Sequence, residues 1–373
     1  MTPHTLIVGA GPYGISLGVA LHHAGLPFTI VGKPFSLWLD HTIDSMALRS
    51  DYQSSELYSP RGELGYARFC RETTPDRGGL RDSVRGRIPV PLFRKYLLWI
   101  RDRLPFPVLE DMVSDLRRKS EGFVARTGGG AHIQASRVVL ATGIEAHRHV
   151  PAELSHLPPD RVIHSYFVGD YRPLRGERIL VVGGGQSAAE AIDLLATNNE
   201  IVWHHRSPLR FYSEPLDLPR PLFKLILRTP AILRLLPRSW VARWLRRFTQ
   251  VTITPEYRER LAPIPKATAA DVAALRVEDG ALVDGSGRRH DRVLSCTGYR
   301  YDLGRLKFLA PELRDEIRCD GTWPAVDGRF RTSAPGLYII GGMAEPVFGP
   351  ALRFMIGCKY TAQSLSSTFA AAA

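Results

Sequence analysis

Two copies of one local pattern constrain this chain more than any other feature of its sequence. Each copy is a short apolar strand that enters a glycine-rich turn and continues as a helix and a second strand. The first is Thr5-Leu-Ile-Val-Gly-Ala-Gly-Pro-Tyr-Gly14 with a strand at 27–31, and the second is Arg178-Ile-Leu-Val-Val-Gly-Gly-Gly-Gln-Ser-Ala-Ala-Glu190 with a strand at 200–203. Glycines spaced in this way between a strand and a helix are typical of dinucleotide-binding βαβ units. The sequence therefore predicts an α/β protein with two Rossmann-like domains.

The first copy assigns a separate task to each glycine. Gly9 is expected to form the tight turn, Gly11 to let the backbone approach a pyrophosphate, and Gly14 to allow close packing of helix on strand. Pro12 begins the helix, whose N-terminus offers free N–H groups and the positive end of its dipole to phosphate. These four residues are predicted to bind a cofactor.

The second copy follows the same plan with one replacement. Gly183 and Gly185 occupy the first two glycine positions, and Gln186 and Ser187 open the helix. Ala188 stands at the third position, which the pattern tolerates. All five residues are predicted to line a second nucleotide site.

Each copy is followed by a hydrophobic strand that ends in Thr-Gly, at 137–143 and at 291–299. Residues 123–127 with 131–135, and 275–277 with 281–283, are predicted to form hairpins ahead of these strands. A last buried strand, at 336–343, precedes an apolar C-terminal helix at about 357–368. The turn residues expected near a cofactor are Thr142, Gly143, Gly298, Gly341 and Gly342.

Residues 209–270 interrupt the second unit with prolines and with basic, amphipathic helical stretches. We interpret them as a helical insertion in the second nucleotide domain. Three roles stay open for it: completing the core, covering the substrate, or touching a membrane surface weakly.

The charge balance gives little indication of a macromolecular partner. The 373 residues carry a net charge of +12, but the arginines are scattered and no nucleic-acid-binding motif accompanies them. Neither a membrane-spanning stretch nor a signal peptide is visible, so the predicted location is cytoplasmic. The length suits two or three domains.

The side chains that could carry chemistry by themselves are sparse. Cys70, Cys296, Cys319 and Cys358 lie far apart in sequence without a CxxC or zinc spacing, so neither a dithiol site nor a metal site is predicted. The pair His204-His205 has no further ligand nearby in the sequence.

Together these motifs resemble the flavoproteins with two dinucleotide-binding domains, and among them the flavin-containing, NADPH-dependent monooxygenases. The stretch 183–190, and His164-Ser165 with Tyr171, are similar to motifs of the N-hydroxylating members. The segment 348–354 resembles the C-terminal part of broader flavin monooxygenases. The resemblance covers nearly the whole chain and is more specific for the cofactors than for the substrate.

The resemblance implies FAD in the first domain, NADPH in the second, and a small-molecule substrate with O₂. The reaction it implies transfers one oxygen atom from a flavin C4a-hydroperoxide to a nucleophile, foremost an amine nitrogen, with sulfur or a ketone as further acceptors. The alternatives are another flavin NAD(P)H oxidoreductase, or a regulatory flavoprotein that senses nucleotides. The oligomeric state is not indicated.

The resemblance also implies roles for individual side chains. Trp38 matches a tryptophan that runs along the flavin, and Val113 matches a position whose backbone holds adenine. Arg206 matches an arginine that grips the 2′-phosphate of NADPH, for which a guanidinium is well suited. Gly32 and Lys33 stand where the family has an acidic residue for the ribose, and Lys33 is kept as a cofactor-binding candidate.

Two further departures from the family pattern are visible. Gly341-Gly342 replaces the Gly-Asp of many FAD proteins, and Pro158 and Asp160 replace the phenylalanine and glycine that lead to the histidine motif.

The candidates for polar residues near the flavin are Arg49 and Gln53, with pairing in the core or on the surface as the other interpretation. Residues 1–170 and 300–373 are expected to form one discontinuous FAD-binding domain. Residues 171–299 are expected to form the NADPH-binding domain, with 209–270 as its helical insertion.

Overall fold

Two parallel β-sheets organise the protein. The computed structural model describes residues 3–48, 50, 52–73, 87–211 and 252–372. The strands are β1 (Thr5–Val8), β2 (Phe28–Val31), β3 (Val113–Lys119), β4 (Gly122–Thr127), β5 (His132–Ala135), β6 (Arg137–Leu140), β7 (Val162–His164), β8 (Arg178–Val182), β9 (Glu200–His204), β10 (Arg276–Glu278), β11 (Ala281–Val283), β12 (Arg289–His290), β13 (Arg292–Ser295), β14 (Cys319–Asp320), β15 (Trp323–Pro324) and β16 (Leu337–Ile339).

The first sheet has the order β16-β6-β1-β2, and every pair in it is parallel. Ile7 lies opposite Ile30 on one side and Val139 on the other, and Tyr338 follows next to Val139. All four residues of β1 are buried, as expected for a parallel strand that is covered on both faces. The last strand in sequence therefore belongs to the sheet that the first strand begins.

The second sheet has the order β7-β13-β8-β9 and is also parallel. Alternate residues of β8 serve two separate cores: Ile179 and Val181 pack on one face, and Leu180 and Val182 on the other. This alternation is the period-two geometry of a strand between two layers. The α/β class with two Rossmann-like units is thus confirmed.

Antiparallel strands complete both units. β3, β4 and β5 form one three-stranded sheet, β10, β11 and β12 form another, and β14 pairs with β15. The two predicted hairpins are present as β4–β5 and β10–β11.

The helices cover the faces of the sheets. They are α1 (Pro12–His23), α2 (Ser36–Asp40), α3 (Tyr52–Ser55), α4 (Tyr66–Thr73), α5 (Val90–Arg101), α6 (Gln186–Leu195), α7 (Arg258–Leu261), α8 (Ala269–Ala273), α9 (Pro311–Asp315), α10 (Glu345–Phe348) and α11 (Gly357–Ala370). The C-terminal helix α11 packs along α1, so both ends of the described chain contribute to the first unit.

Two chain segments connect the sheets, and they lie side by side. The main-chain N–H of His149 donates to the carbonyl of Gly298 at 2.9 Å, and that of Arg300 donates to His147 at 2.8 Å. Arg148 and Tyr299 form an antiparallel bridge between them. The chain therefore enters and leaves the second unit at one place.

The limits of the units remain a proposal. The strand β7 pairs with β13 although it precedes residue 171, so we propose that the second unit begins ahead of Val162. Most of the predicted helical insertion, residues 212–251, lies outside the described residues. Within the described ranges, no helix combines the length and apolar character needed to cross a bilayer.

Candidate cofactor cradles and active site

The first glycine turn is closed by backbone atoms that leave no room for side chains. Gly9 has a φ of 114°, and a Cβ atom on it would lie 2.3 Å from the carbonyl oxygen of Ala141. A Cβ atom on Gly14 would lie 1.9 Å from the carbonyl oxygen of Gly9. The tight turn and the close helix packing therefore both require glycine here.

Gly11 differs from its neighbours because it faces open space. Apart from its two chain neighbours, no described residue has an atom within 4 Å of the position that its Cβ atom would take. Gly11 is the N-cap of α1, no side chain caps this end, and the first turn contains no acidic residue. Free N–H groups at an open helix N-terminus favour an anion such as a pyrophosphate.

The rim of this opening carries an unsatisfied polar atom. The Thr142 hydroxyl is buried without a hydrogen-bond partner among the described residues, and Thr142 N lies 3.3 Å from the Cβ position of Gly9. Gly143 follows in the left-handed region, with φ of 67°. A buried hydroxyl without a partner is costly unless a ligand satisfies it. The cradle of Gly11 and Thr142 therefore fits the polar diphosphate part of FAD.

The structure explains why no acidic residue ends β2. Gly32 has a φ of 150°, and its Cβ atom would lie 2.7 Å from the main-chain nitrogen of Ala10. No side chain fits between β2 and the glycine turn. The exposed Lys33 pairs with Asp40 at 3.0 Å, which is a surface ion pair.

Trp38 and Val113 occupy different surroundings. The Trp38 ring meets Phe93 edge to face at 5.1 Å, and its carbonyl accepts from the guanidinium Nε of Arg94 at 2.8 Å. Val113 is buried at the start of β3, whereas the segment that meets the end of β2 is Leu109, which accepts from Gly32 N at 3.0 Å. Contacts of Trp38 and Val113 with FAD remain predictions.

The turn after β16 is packed against two tyrosines. The Tyr13 ring lies 3.7 Å from the Cβ position of Gly341, and the Tyr301 hydroxyl lies only 1.8 Å from that of Gly342. The hydroxyl of the half-buried Tyr13 donates to the carbonyls of Leu352 and Phe354, at 2.8 and 2.9 Å. Tyr13 thus ties the first glycine turn to the segment that precedes α11.

The second glycine turn repeats the geometry of the first. Gly183 has a φ of 140°, and its Cβ atom would lie 2.2 Å from the carbonyl oxygen of Cys296. The indole of the buried Trp203 donates to the Gly183 carbonyl at 2.6 Å, which holds β9 against the turn. Gly298 has a φ of 72°, and within the described part of the chain nothing approaches its Cβ position.

The start of α6 contains three of the predicted residues. Its N-cap is Gly185, without a side-chain cap, as in the first unit. The Gln186 amide accepts from Thr254 N at 2.9 Å and donates to Glu190 at 2.8 Å, so this side chain already holds the 252–254 segment. Ser187 is exposed and Ala188 is fully buried.

Arg206 lies on the exposed loop after β9, close to the second glycine turn. A Cβ atom on Gly184 would lie 3.3 Å from the Cβ atom of His205, the neighbour of Arg206. Burial lowers the pKa of His149, and the charges of Arg300, Arg305 and Arg206 lower it further. Arg206 is exposed and forms no ion pair with another described residue, and its contact with NADPH remains a prediction.

His164 connects the second sheet with the returning linker. One ring nitrogen accepts from Tyr166 N at 3.1 Å, and the other donates to the Gly298 carbonyl at 3.0 Å. Burial lowers the pKa of His164, in keeping with a neutral ring. The sequence motif identified this histidine, but not its contact with the Thr-Gly turn.

Gln53 lines an open cavity of about 580 Å³ beside the C-terminal helix. Its amide donates to the Tyr52 hydroxyl at 2.9 Å, and Met355 and Lys359 form the opposite wall. Arg49, the other catalytic candidate, lies outside the described residues. Both roles remain predictions.

The cysteines offer no dithiol. All four are free, only Cys319 is exposed, and burial raises the pKa of Cys296 to about 12. No group of three metal-ligating side chains occurs in the described ranges.

Comparison with known proteins gives one family and a set of related folds. Residues 88–220 match the family described as L-lysine 6-monooxygenase/L-ornithine 5-monooxygenase. The probable indole-3-pyruvate monooxygenase YUCCA9 of Arabidopsis thaliana is 30% identical over 205 residues, 52% of this chain and 45% of the relative. A ferredoxin–NADP reductase of Thermus thermophilus is 28% identical over 212 residues, 54% of this chain and 53% of that protein.

The ornithine N-hydroxylase of Kutzneria sp. 744, solved with reduced FAD, NADP⁺ and L-ornithine, superimposes with a TM-score of 0.79. It is 19% identical, and 99% of each chain is covered, so this likeness concerns the fold. The chain spans about half the length of the curated relatives it matches.

The two sheets and their glycine turns define an α/β fold with two Rossmann-like units of the dinucleotide-binding type. More specifically, the match of residues 88–220 to the lysine and ornithine monooxygenases confirms the resemblance to flavin-dependent monooxygenases. It also agrees with the FAD and NADPH that the sequence resemblance implies.

Proposed function

We propose that this protein is an FAD- and NADPH-dependent monooxygenase that transfers one oxygen atom from O₂ to the nitrogen of a small amine. The family match at residues 88–220 carries the proposal, and the two glycine turns, each followed by a helix N-terminus without a side-chain cap, support the need for two nucleotides. The N-hydroxylases among the related folds favour nitrogen over sulfur or a ketone carbon.

The chain contributes binding and exclusion of water more than acid–base chemistry. Gly11 and Thr142 would hold the FAD diphosphate, and Gly183, Gly185 and Arg206 would hold NADPH. FAD bound in this cradle would supply the redox chemistry between NADPH and O₂. With three of its four cysteines buried, the protein has no exposed thiol pair for dithiol chemistry.

Oxygen consumption by the purified, FAD-loaded protein tests the proposal. We expect NADPH oxidation to be stimulated by amines, with one hydroxylamine formed for each NADPH consumed. Matched thioether and ketone panels identify the oxygenated atom. If only a thioether or a ketone yields product, the assignment of an amine nitrogen as the oxygen acceptor is wrong. If no O₂ is consumed with any of the panels, the proposed monooxygenase activity is wrong.

A second candidate is an NADPH-linked flavin reductase, which the relation to ferredoxin–NADP reductases favours. This activity would pass electrons to an acceptor without consuming O₂. Reduction of ferredoxin by NADPH under argon measures it directly. If ferredoxin is reduced at a rate comparable to the rate of NADPH oxidation with O₂ and the best amine, the reductase activity is favoured.

A further inference from the structure

Many FAD proteins carry an aspartate where this chain has Gly342, in the turn after β16. A Cβ atom on Gly342 would lie 1.8 Å from the Tyr301 hydroxyl oxygen and 2.3 Å from the ring carbon that bears it. The tyrosine hydroxyl therefore occupies the place in which an aspartate side chain would begin. Any side chain at position 342 requires Tyr301 to move.

On the basis of the proposed function, we propose that Tyr301 replaces the missing aspartate and donates a hydrogen bond to the ribityl–phosphate part of FAD. Tyr301 follows the linker that returns from the second sheet, so a residue distant in sequence from the turn supplies this contact. Tyr301 was not among the residues predicted from the sequence.

The surroundings of Tyr301 hold its ring in place. The ring packs against His147 and Trp323, each with a centroid distance of 4.9 Å, and only 9% of the residue is exposed. Its carbonyl accepts from the Thr322 hydroxyl at 2.8 Å. Within the described part of the chain its own hydroxyl has no hydrogen-bond partner, so this group is available to a ligand.

Gly342 follows β16, and its place at the edge of the first sheet brings Tyr301 to the same edge as the cradle of Gly11 and Thr142. Ile340 N donates to the Leu140 carbonyl at 3.0 Å, so the turn after β16 begins level with the residues that follow β6. Thr142 lies on that same carboxyl edge of the sheet, as does the Gly9 turn. In open α/β sheets, ligands bind at this edge.

The chemistry of a phenol differs from that of the aspartate it would replace. Burial raises the pKa of Tyr301 to about 12, so the hydroxyl keeps its proton at neutral pH. A protonated hydroxyl can donate to a phosphate or ribityl oxygen, whereas an ionised carboxylate only accepts. A donor suits the anionic diphosphate.

The test measures FAD affinity rather than turnover. Apoprotein is titrated with FAD, and binding is followed by flavin fluorescence. We expect Tyr301→Phe to raise the dissociation constant about tenfold, the loss of one hydrogen bond to a ligand. The matched control is Tyr338→Phe, because Tyr338 lies in β16 and is equally buried, at 9% exposure; we expect it to bind FAD as the wild type does.

An exchange of the two side chains tests the geometry. Gly342→Asp alone should lose most FAD affinity, and Gly342→Asp combined with Tyr301→Gly should recover it. FAD affinity of Tyr301→Phe within twofold of the wild type would overturn the inference while leaving the proposed function intact. A wild-type protein without measurable affinity for FAD would instead overturn the proposed function.

Discussion

The two glycine turns share one geometry at their first glycine and differ at their third. The Cβ positions of Gly9 and Gly183 lie 2.3 and 2.2 Å from the carbonyl oxygens of Ala141 and Cys296, the residues that directly follow β6 and β13. At the third position, however, Gly14 presses against the carbonyl of Gly9, whereas Ala188 carries a methyl group. Both units therefore share the close contact between the glycine turn and the residue after β6 or β13. The contact between the turn and the helix that follows it is closer in the first unit, where α1 carries Gly14, than in the second, where α6 carries Ala188.

The turns also differ where the second strand ends. In the first unit Gly32 lies against Ala10, so no side chain at this position can reach a ligand. In the second unit β9 ends at His204, and His205 and Arg206 follow it. We infer that the first unit recognises its nucleotide through main-chain groups and neutral hydroxyls, and the second through side-chain charge as well.

Exchanging the residues at the third position should have the largest effect. Gly14→Ala places a methyl group 1.9 Å from a main-chain oxygen, and we expect a loss of more than about 3 kcal/mol in the free energy of unfolding. Ala188→Gly, the reverse change, should lower it by only about 1 kcal/mol. Urea unfolding measures both. Equal losses would show that the two helices lie equally close to their turns.

Substitution of Gly11 separates binding from folding. Because no described atom lies within 4 Å of its Cβ position, Gly11→Val should fold. The branched side chain would fill the space that the pyrophosphate needs, so we expect colourless protein with a native circular dichroism spectrum. The ratio of flavin to protein absorbance measures this. Full FAD content in Gly11→Val would contradict the cradle.

Removal of the charge at Arg206 tests the second turn. A charge-assisted hydrogen bond to phosphate contributes about 1.5–3 kcal/mol, so Arg206→Ala should weaken NADPH use by one to two orders of magnitude and leave NADH use nearly unchanged. Flavin reduction with each nucleotide measures it without a substrate. Arg210→Ala, at an exposed position four residues further on, is the control. If the rates of flavin reduction by NADPH and by NADH fall equally, Arg206 does not bind the 2′-phosphate and is only a surface charge.

The smallest expected effect concerns acid stability of the second unit. Asp291, just before β13, accepts from Arg178 N at 2.8 Å and from the Arg178 guanidinium at 2.6 Å, and this lowers the pKa of Asp291 to about 2. In the first unit Ser136 takes the corresponding place before β6.

A lowered carboxyl pKa stabilises the fold above the ordinary pKa near 4, and this contribution is lost as the pH falls from about 4 towards 2. Because the pair is about one-third exposed, we expect Asp291→Asn to cost about 1 kcal/mol or less at pH 7. Urea unfolding of wild type and variant at pH 7 and pH 3 checks it. A difference that does not narrow at pH 3 would exclude the carboxylate as its source.

The sequence was informative where the signal is local. The strands that flank the glycine turns are continuous apolar runs, and the turns need glycine for reasons that neighbouring residues create. The placement of β16 in the first sheet followed from the resemblance, since pairing across two hundred residues leaves no local signal. With only three residues, β7 is too short for a periodic pattern to assign it to a sheet.

The parts that escaped prediction depend on contacts between distant segments. In the sequence, Gly342 indicates only a missing side chain, whereas in the structure the Tyr301 hydroxyl lies in the space of that side chain. Gln186 fits a nucleotide motif, yet its amide binds Thr254 from beyond the proline-rich stretch. Contacts of this kind join residues that are distant in sequence, so residue types and their spacing do not predict them.

Because the two linkers between the units lie side by side, we expect that the second unit can be deleted without separating the ends of the first. Residues 149 and 298 are joined by a main-chain hydrogen bond of 2.9 Å, so the two cut ends of the first unit would lie next to each other. Adjacent ends are what allow one domain to be inserted into another or taken out again. Replacing residues 149–298 with a short turn would remove no strand of the first sheet. A different nucleotide-binding unit could be inserted between the same two positions.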